Sequence, residues 1–315
     1  MKKLLLIIPI LMFAVFGCKD NADNTSAKVD LAQLEKRLTS IESADDKEAK
    51  VTVKVEKLVD VKEMPGYVYV KVTTDKDGSK KVRNAITNGR IFIDADQSLL
   101  LDLEEEIFLT SILNFENTEP KTIDVSNLTL AGGKKDGKNV IIEITDFECP
   151  YCKRANSLFK QMLADKSDYA LYIMHMPIPS LHPNAELMAK IFEAGMQMGK
   201  NFKNDLFELD TPKLLEKKAK EYIEANNITE FTQADIDKII ALFQEDLINM
   251  FASKTENAQK FKELVASKAI EEKIKNCQKQ AHQLGENSTP TFYFNGKVIQ
   301  GFDAPLLKKL LENIE

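Results

Sequence analysis

The chain has 315 residues, 43% of them apolar and 29% charged, which is enough for one large or two ordinary folded domains. Its formal net charge is −6, with 49 acidic against 43 basic side chains, so the composition argues against nucleic acid or anionic lipid headgroups as partners. Beyond the N-terminal region no apolar stretch reaches the length that spans a bilayer.

The N-terminal residues predict export from the cytoplasm. Two lysines precede an apolar run from Leu4 to Phe16, which is too short to cross a bilayer as a mature helix. A basic start followed by an apolar run of this length is typical of a secretory signal. We therefore expect residues 1–17 to be a signal peptide and the mature protein to lie outside the cytoplasm.

The end of this apolar run predicts a lipid anchor. The run stops at Gly17-Cys18, and a small residue directly before a cysteine resembles the lipobox of bacterial lipoproteins. That resemblance implies lipidation of Cys18 and attachment to the periplasmic side of the bacterial envelope. A plain secretory signal with an incidental cysteine is the alternative, and it would leave a soluble periplasmic protein. Residues 18–30 are polar and without periodicity, which predicts a flexible tether.

Residues 31–117 predict a small α+β domain. A helix with one apolar seam is indicated by leucine and isoleucine at heptad-like spacing, at Leu31, Leu34, Leu38 and Ile41. The period then changes to two, which predicts strands around Val51/Val53/Val55, Val68/Val70/Val72, Ile91/Ile93 and Leu99/Leu101/Leu103. Turn signals lie at Asp77-Gly78 and Asn88-Gly89. An amphipathic segment over 103–115 leads to Pro120, where we place the domain boundary.

Residues 121–315 predict an α/β domain. The run "NVIIEITDF" (139–147) has the continuous apolar character of a buried strand, and "YALYIMHM" (169–176) indicates the next strand. Residues 183–284 indicate a helical insertion with breaks at "DTPK" and "NNITEFTQAD". The hairpin "TPTFYFNGKVIQG" and a closing leucine-rich helix follow. Strands that alternate with helices in this order predict an α/β layout.

The segment "DFECPYCKR" places Cys149 and Cys152 where the first of these strands becomes a helix. A cysteine at a helix N-terminus faces unsatisfied backbone N–H groups and the positive end of the helix dipole, which favour the thiolate. We expect the pKa of Cys149 to fall from about 8.5 into the range of roughly 3.5 to 7.5. Pro150 suits the first helical turn.

Three interpretations of this cysteine pair are open from the residues alone. A zinc site needs two further ligands, and the remaining candidates include no second C-x-x-C or H-x₃₋₅-H pair. A purely structural disulfide across so short a loop would constrain the unfolded chain little. Thiol–disulfide exchange is the interpretation that we favour, and we expect neither a metal nor another cofactor.

Three separated motifs resemble one known family. They are "DFECPYC", "LHPNAELMAKIFEAG" and "STPTFYFNGKVIQGFDAPLLKKLLENI", in this order along residues 121–315. Together they resemble the DsbA-like thioredoxin-fold oxidoreductases of the bacterial cell envelope. The resemblance implies a thioredoxin fold with a helical insertion at about 183–284. It also implies an enzyme that exchanges disulfides with cysteines of exported proteins and is served by a membrane redox partner.

The resemblance also assigns site residues. It implies that Cys149 and Cys152 form a redox-active disulfide, with Pro150 and Tyr151 completing the active-site loop. Pro290 would be the cis proline that faces this pair, and Thr289 before it would hold an extended substrate strand; by physics alone Thr-Pro is equally consistent with a trans turn.

Glu143, six residues before Cys149, matches an acidic residue that members of this family use as a buried proton acceptor for the second cysteine. A solvent-facing edge glutamate is the alternative.

The N-terminal domain is a departure from simple DsbA-like oxidants. Residues 31–117 weakly resemble the dimerisation domains of the DsbC/DsbG disulfide isomerases and reductases, which implies a homodimer. The leading hypothesis is therefore a lipid-anchored disulfide oxidoreductase, with an isomerase or reductase as the alternative. A holdase chaperone or a copper-binding module that uses Cys149 and Cys152 as soft ligands is the alternative from another class.

The remaining cysteine and the histidines receive no catalytic role from the sequence. Cys277 is predicted to be an unpaired thiol on a helix face. His175 and His282 are predicted to be packing or surface residues, and His182 belongs to the motif that opens the helical insertion.

Overall fold

The computed structural model describes residues 29–43, 49–96, 101–102 and 107–315 of the chain. These residues form two compact units, which divide between Asp94 and Ala95. The predicted signal peptide, the lipidation site at Cys18 and nearly all of the tether lie outside the described residues. Within the described part, no helix has both the length and the apolar character needed to cross a membrane.

The described residues of the first unit form one helix on an antiparallel sheet. Its elements are α1 (Leu31–Glu42), β1 (Val51–Asp60), β2 (Val68–Lys76), β3 (Ser79–Thr87) and β4 (Phe92–Asp94). The strands lie in the order β1-β2-β3-β4. Asp77 and Gly78 both have positive φ angles and form the tight turn between β2 and β3, as the Asp-Gly signal predicted.

Helix α1 packs on this sheet through a shorter apolar seam than the sequence predicted. Leu34 and Leu38 are buried against valines of β1 and β2. Ile41 is 65% exposed, so it lies outside the seam, and Ile91 precedes β4 and is also exposed. The sequence did not predict strand β3, whose first half is exposed and lacks alternation. Of the predicted strand Leu99/Leu101/Leu103, only Leu101 is within the described residues.

The second unit begins with two short strands and a helix, which are β5 (Leu101–Asp102), β6 (Ile107–Phe108) and α2 (Leu109–Asn117). The elements that follow up to the helical insertion are β7 (Thr129–Gly133), β8 (Asn139–Thr145), α3 (Pro150–Met162) and β9 (Tyr169–His175). The insertion consists of α4 (Ala185–Gln197), α5 (Lys203–Glu208), α6 (Thr211–Asn226), α7 (Gln233–Ala252), α8 (Ala258–Val265) and α9 (Lys268–Gln283). The chain closes with β10 (Thr291–Phe294), β11 (Lys297–Gln300) and α10 (Ala304–Glu312).

A five-stranded mixed sheet in the order β11-β10-β8-β9-β7 forms the centre of this unit. Strand β8 is central and parallel to β9, whereas β10 is antiparallel to β8. Helices α3 and α10 pack on one face of the sheet, with Ile141 of β8 among their contacts. Helix α9 packs on the opposite face, where Ile142 and Ile144 point. Because side chains alternate along a strand, Glu143 points to the same face as Ile141, toward α3. The predicted α/β class is confirmed.

Several details differ from the sequence predictions. Strand β7 was not predicted, because its sequence, TLAGG, contains two glycines that weaken the strand signal. The helical insertion is interrupted at three places in addition to the two predicted breaks, at 198–202, 253–257 and 266–267. Helix α2 belongs to the second compact unit, where Ile112 and Phe115 pack beside α10 residues. The units therefore divide before the predicted boundary near Pro120, and the functional roles of the predicted domains stay predictions.

A buried ionic cluster joins the insertion to the sheet. Glu193 of α4 is 1% exposed, and its carboxylate lies 2.7 Å from His175 Nε2 of β9 and 2.7 Å from Lys273 Nζ of α9. The hydroxyl of Thr129 in β7 donates to the same carboxylate. Burial would raise the pKa of Glu193, but the hydrogen bond and charge from His175, with those from Lys273, outweigh burial and lower it to about 2. His175, predicted from the sequence to be a packing or surface residue, is thus a buried member of this cluster.

We predict that Glu193→Gln destabilises the protein by about 3 kcal/mol at neutral pH, because the unfolded carboxyl titrates more than two units higher than the folded one. The depressed pKa of Glu193 gives a contribution that is present above the ordinary glutamate value of 4.5 and is lost as the pH falls toward about 2. Urea unfolding across this pH range measures the difference between the variant and the wild type, which should shrink on acidification.

Glu186→Gln is the matched control, because Glu186 lies in the same helix but forms a partly exposed i, i+4 pair with Lys190. A helical pair at this spacing contributes about 0.3–0.5 kcal/mol. If Glu193→Gln cost no more than Glu186→Gln, or if its cost were independent of pH, the ionic account of this cluster would be wrong.

Candidate redox site

The cysteine pair lies where strand β8 passes into helix α3. Cys149 is the N-cap of α3, Pro150 is the first residue of the helix, and Cys152 lies in its first turn. Cys149 is 5% exposed and Cys152 is fully buried. Both are free thiols, so the structure shows the pair in the reduced, dithiol state. The disulfide between them stays a prediction.

The two thiols differ in acidity. The Cys152 thiol donates a hydrogen bond to Cys149, and this is the largest of the effects that lower the pKa of Cys149 to about 6. Backbone groups of the first helical turn and the side chain of Thr289 act in the same direction, against burial. Burial raises the pKa of Cys152 well above its usual value, and the neighbouring Cys149 raises it further. One thiolate and one thiol at neutral pH is the expected state of this pair.

The loop before β10 reaches the cysteine pair. The Thr289–Pro290 peptide bond is cis, the isomer that the resemblance implies. The Sγ atom of Cys149 lies 3.5 Å from the carbonyl oxygen of Thr289. Cys149 and Thr289, which are 140 positions apart in the sequence, are therefore in contact at the Cys149 sulfur.

A buried carboxylate lies beneath α3 on the same face of the sheet. Glu143 has no exposed surface, which excludes the alternative of a solvent-facing glutamate. Its Oε2 atom lies 2.9 Å from Nζ of Lys203 in α5. Neither carboxylate oxygen has an aligned hydrogen-bond partner among the described residues, so the contact is an ion pair and not a directed hydrogen bond.

Lys203 connects this carboxylate to the helix that carries the cysteines. Its Nζ donates to Oδ1 of Asn156 at 2.7 Å, and Asn156 lies one turn after Cys152 on the buried face of α3. The ammonium group also lies 5.4 Å from the ring centre of Phe207. Lys203 was not predicted from the sequence, because a lysine in an amphipathic insertion is usually exposed.

The redox turn, residues 146–149, is attached to the loop at 177–184. The carboxylate of Asp146 accepts hydrogen bonds from the backbone N–H of Glu148 at 2.8 Å, from that of Ile178 at 2.9 Å and from His182 Nδ1 at 2.8 Å. The carboxylate of Glu148 accepts from the backbone N–H of Asn184 at 2.7 Å and from its side-chain amide at 3.1 Å. His182, which the sequence left without a role, therefore contacts the turn.

An apolar cleft of about 400 Å³ opens beside Pro150. Its walls include Phe147, Leu181, Phe207 and Leu215, so it lies between the redox turn and the helical insertion. Leu181 is 71% exposed at its rim. Tyr151 is also exposed, with the guanidinium of Arg154 5.3 Å from the centre of its ring.

Other candidate residues lie apart from this site or outside the described part. Cys277 is a buried free thiol on α9 beside Ile144 and Met174, as expected for an unpaired helical cysteine. Among the described residues, no group of three or more His, Cys, Asp or Glu side chains is arranged to hold a metal. The expectation of no metal and no cofactor stays a prediction, as does lipidation of Cys18.

Comparison with known proteins gives one family match. The family model described as Thioredoxin matches residues 126–313. Among curated relatives, the Na(+)/H(+) antiporter NhaA 1 of Mycobacterium sp. (strain KMS) is 26% identical over 182 residues, which are 57% of this chain and 26% of that protein. The antiporter NhaA 3 of Salinispora tropica is 31% identical over 67 residues, or 21% of this chain and 10% of that protein. The chain thus spans about a quarter or less of the length of these relatives.

Solved structures similar to the chain include two of bacterial origin. BdbD from Bacillus subtilis is 18% identical, with 62% of this chain and 98% of that chain covered and a TM-score of 0.43. A thioredoxin-like oxidoreductase from Silicibacter pomeroyi DSS-3 is also 18% identical, with 59% and 91% covered and a TM-score of 0.42.

The acidity of Cys149 generates a direct prediction. The rate of its alkylation by iodoacetamide should rise with pH through a midpoint near 6, the pKa that the structure gives it. In Cys152→Ala the midpoint should move upward toward the ordinary value of about 8.5, because the principal hydrogen bond to the thiolate is lost. Peptide mapping by mass spectrometry identifies the alkylated cysteine, and Cys277→Ala serves as the control. An unchanged midpoint in Cys152→Ala would contradict this assignment of the cause.

The buried ion pair generates a second prediction. Lys203→Met leaves the Glu143 carboxylate buried without its cation, which should cost roughly 3–5 kcal/mol of unfolding free energy. The double variant Lys203→Met/Glu143→Leu removes both charges and should recover most of this loss. Urea unfolding measures both, with Lys254→Met as the control at an exposed ion pair with Asp205. Equal stability of Lys203→Met and the wild type would show that the pair is not energetically coupled.

Proposed function

The chain belongs to the thioredoxin family and is a thiol–disulfide oxidoreductase by class, and we propose that it exchanges disulfides with exported proteins through Cys149 and Cys152. The observation that carries this proposal is the difference between the two thiols. Cys149, with a pKa of about 6, lies at the N-terminus of α3 beside the Thr289 carbonyl, whereas Cys152 is buried beneath it. A metal site or a structural disulfide requires no such difference.

In the first step, the Cys149 thiolate attacks one sulfur of a substrate disulfide. A bond forms between Cys149 Sγ and that sulfur, and the second substrate sulfur leaves as a thiolate. We propose that the backbone of Thr289 pairs with an extended segment of the substrate, as the resemblance implies; its carbonyl oxygen 3.5 Å from Cys149 Sγ supports this. No cofactor enters this step.

In the second step, Cys152 resolves the mixed disulfide. Its thiol loses a proton, its sulfur bonds to Cys149, and the remaining substrate sulfur leaves as a thiolate, so the enzyme is oxidised and the substrate reduced. Because burial raises the pKa of Cys152, this step needs a proton acceptor. We assign that role to Glu143, which lies beneath α3 on the same face of the sheet. The same steps in reverse oxidise a substrate dithiol.

We propose the oxidising direction as the physiological one. A thiolate stabilised at a helix N-terminus favours the reduced enzyme, and an enzyme that gains stability on reduction is a strong oxidant. The lowered pKa of Cys149 supports this direction over the isomerase or reductase alternative. We further propose that the protein acts in the bacterial envelope, anchored through Cys18, with a membrane redox partner that reoxidises the pair.

We predict unequal trapping by the two cysteine variants. Cys152→Ala should accumulate mixed disulfides with exported proteins, because the resolving thiol is absent and the first bond persists. Cys149→Ala should form none, and the double variant should match Cys149→Ala. Non-reducing gels of cell envelopes, compared with reduced samples, measure the adducts.

Cys277→Ala combined with Cys152→Ala is the matched control, because it removes the other buried thiol in the second unit and should leave trapping unchanged. Adducts formed by Cys149→Ala, or none formed by any variant under oxidising conditions, would end this mechanism.

We also predict that the exported protein is a homodimer through residues 31–117, on the basis of the resemblance to DsbC/DsbG dimerisation domains. Analytical ultracentrifugation of residues 19–315 at micromolar concentration should give a dimer, and deletion of residues 19–117 should give a monomer. A monomeric species in both cases would remove the dimer from this proposal.

A further inference from the structure

The hydrogen bonds between the redox turn and the 177–184 loop suggest a role for a residue that the exchange reaction does not itself use. Asp146 is 2% exposed, and two of the three hydrogen bonds to its carboxylate come from backbone N–H groups. The third comes from the imidazole of His182, whose side chain is 19% exposed. Because the carboxylate can only accept, Nδ1 of His182 carries the proton of this bond.

We propose that His182 is a positioning residue of the redox turn, which holds Asp146 in place and thereby keeps Cys149 at the N-terminus of α3. This inference rests on the proposed function, because the position of Cys149 matters to the reaction only if Cys149 is its nucleophile. His182 makes no contact with the reacting sulfur in this account and acts through Asp146.

Asp146 connects the imidazole to both cysteines through its backbone. Its carbonyl oxygen accepts the Cys149 N–H at 3.1 Å, so a shift of Asp146 changes where α3 begins. Its backbone N–H also points at the Cys152 sulfur and lowers the pKa of Cys152 against the larger effect of burial. A displaced Asp146 therefore alters the surroundings of both thiols, and it is the Cys152 thiol that donates to the Cys149 thiolate.

The loss of the imidazole leaves a buried carboxylate with one partner fewer, which is costly because an ionised group in the interior needs its donors. The turn can respond by moving Asp146 toward solvent or toward another donor. Either movement changes the thiolate equilibrium of Cys149, which is a property that a merely structural loop contact would leave unchanged.

Gln278 provides a matched control for this distinction. Its side-chain amide donates to the carbonyl oxygen of Pro177 at 3.0 Å, so it attaches the same loop to α9 without touching Asp146. Gln278→Ala thus loosens the loop and keeps the hydrogen bond from His182 to Asp146, whereas a His182 variant removes that bond.

The experiment compares His182→Phe, His182→Asn and Gln278→Ala in the full chain. The phenylalanine ring keeps the volume and removes the donor, whereas the asparagine amide places an N–H group near the position of Nδ1. Two quantities are measured, the pH midpoint for alkylation of Cys149 by iodoacetamide and the rate of mixed-disulfide formation with glutathione disulfide. Circular dichroism and urea unfolding report whether each variant is folded, and His182→Ala replaces His182→Phe if the ring is not accommodated.

We expect His182→Phe to raise the Cys149 midpoint and to slow mixed-disulfide formation at pH 6 by roughly three- to tenfold. This is less than the loss of a direct hydrogen bond to a charged group, because His182 acts on Cys149 only through Asp146. His182→Asn should lie within about twofold of the wild type, since it restores the donor. Gln278→Ala frees the carbonyl of the Pro177–Ile178 peptide but keeps the His182 bond, so it should shift both quantities by less than His182→Phe does.

An unchanged midpoint in His182→Phe and His182→Ala would overturn the inference, and so would an equal shift in Gln278→Ala or a failure of His182→Asn to restore the midpoint. Failure of the proposed function is a separate result. If the wild type formed no disulfide with glutathione at all, the proposed function would fall, whereas the midpoint would still show whether His182 positions Cys149.

Discussion

The hydrogen bond from the Cys152 thiol to the Cys149 sulfur is the interaction on which the chemistry of this protein depends. Cys149 caps α3 and Cys152 lies in its first turn. The hydrogen bond between their sulfur atoms stabilises a negative charge on Cys149 and opposes one on Cys152. The sulfur at the helix N-terminus carries that charge, because it faces the dipole and the free N–H groups. The proposed attack by Cys149 and resolution by Cys152 rest on this division, and so does the proposed proton acceptor below α3.

The helical insertion contributes cations and donors to the sheet as well as apolar cover. Lys203 neutralises Glu143 of β8, and Lys273 neutralises Glu193 beside His175. His182, immediately before the insertion, donates to Asp146 of the redox turn. These buried carboxylates would be unfavourable without their partners, since a single unpaired charge in the interior costs several kcal/mol. The insertion and the loop before it thus supply partners to buried carboxylates that would otherwise be unpaired.

The sequence predicted the parts of the site that have local signals. Cys149, Cys152 and Pro150 are adjacent in the chain, and a strand followed by a helix is legible from periodicity, so their place at a helix N-terminus followed directly. Thr289 and Pro290 were assigned through the family resemblance; the bond between them is cis in the structure, and the Thr289 carbonyl oxygen lies beside Cys149 Sγ. The sequence pattern did not show whether Glu143 faces solvent. Alternation assigns a residue to one face of a strand, but it does not show whether a helix packs on that face.

The residues that the sequence missed depend on contacts between distant segments. Lys203 and His182 have no local feature that separates them from ordinary surface residues, and their partners lie 60 and 36 positions away. Strand β7 was missed for a different reason. Gly133 has a positive φ angle, and a Cβ atom there would lie 2.0 Å from the Tyr169 carbonyl oxygen, so the strand requires the residue that weakens its signal.

The reduction potential of the Cys149–Cys152 couple tests the central claim most directly. Equilibration of the protein with glutathione buffers, followed by thiol labelling and mass spectrometry, gives this potential. If the Cys149 thiolate stabilises the reduced enzyme, the couple shows a single two-electron transition at a potential well above about −300 mV, the value below which structural disulfides lie. A couple below that value, or the absence of a disulfide between these two cysteines, would contradict that claim.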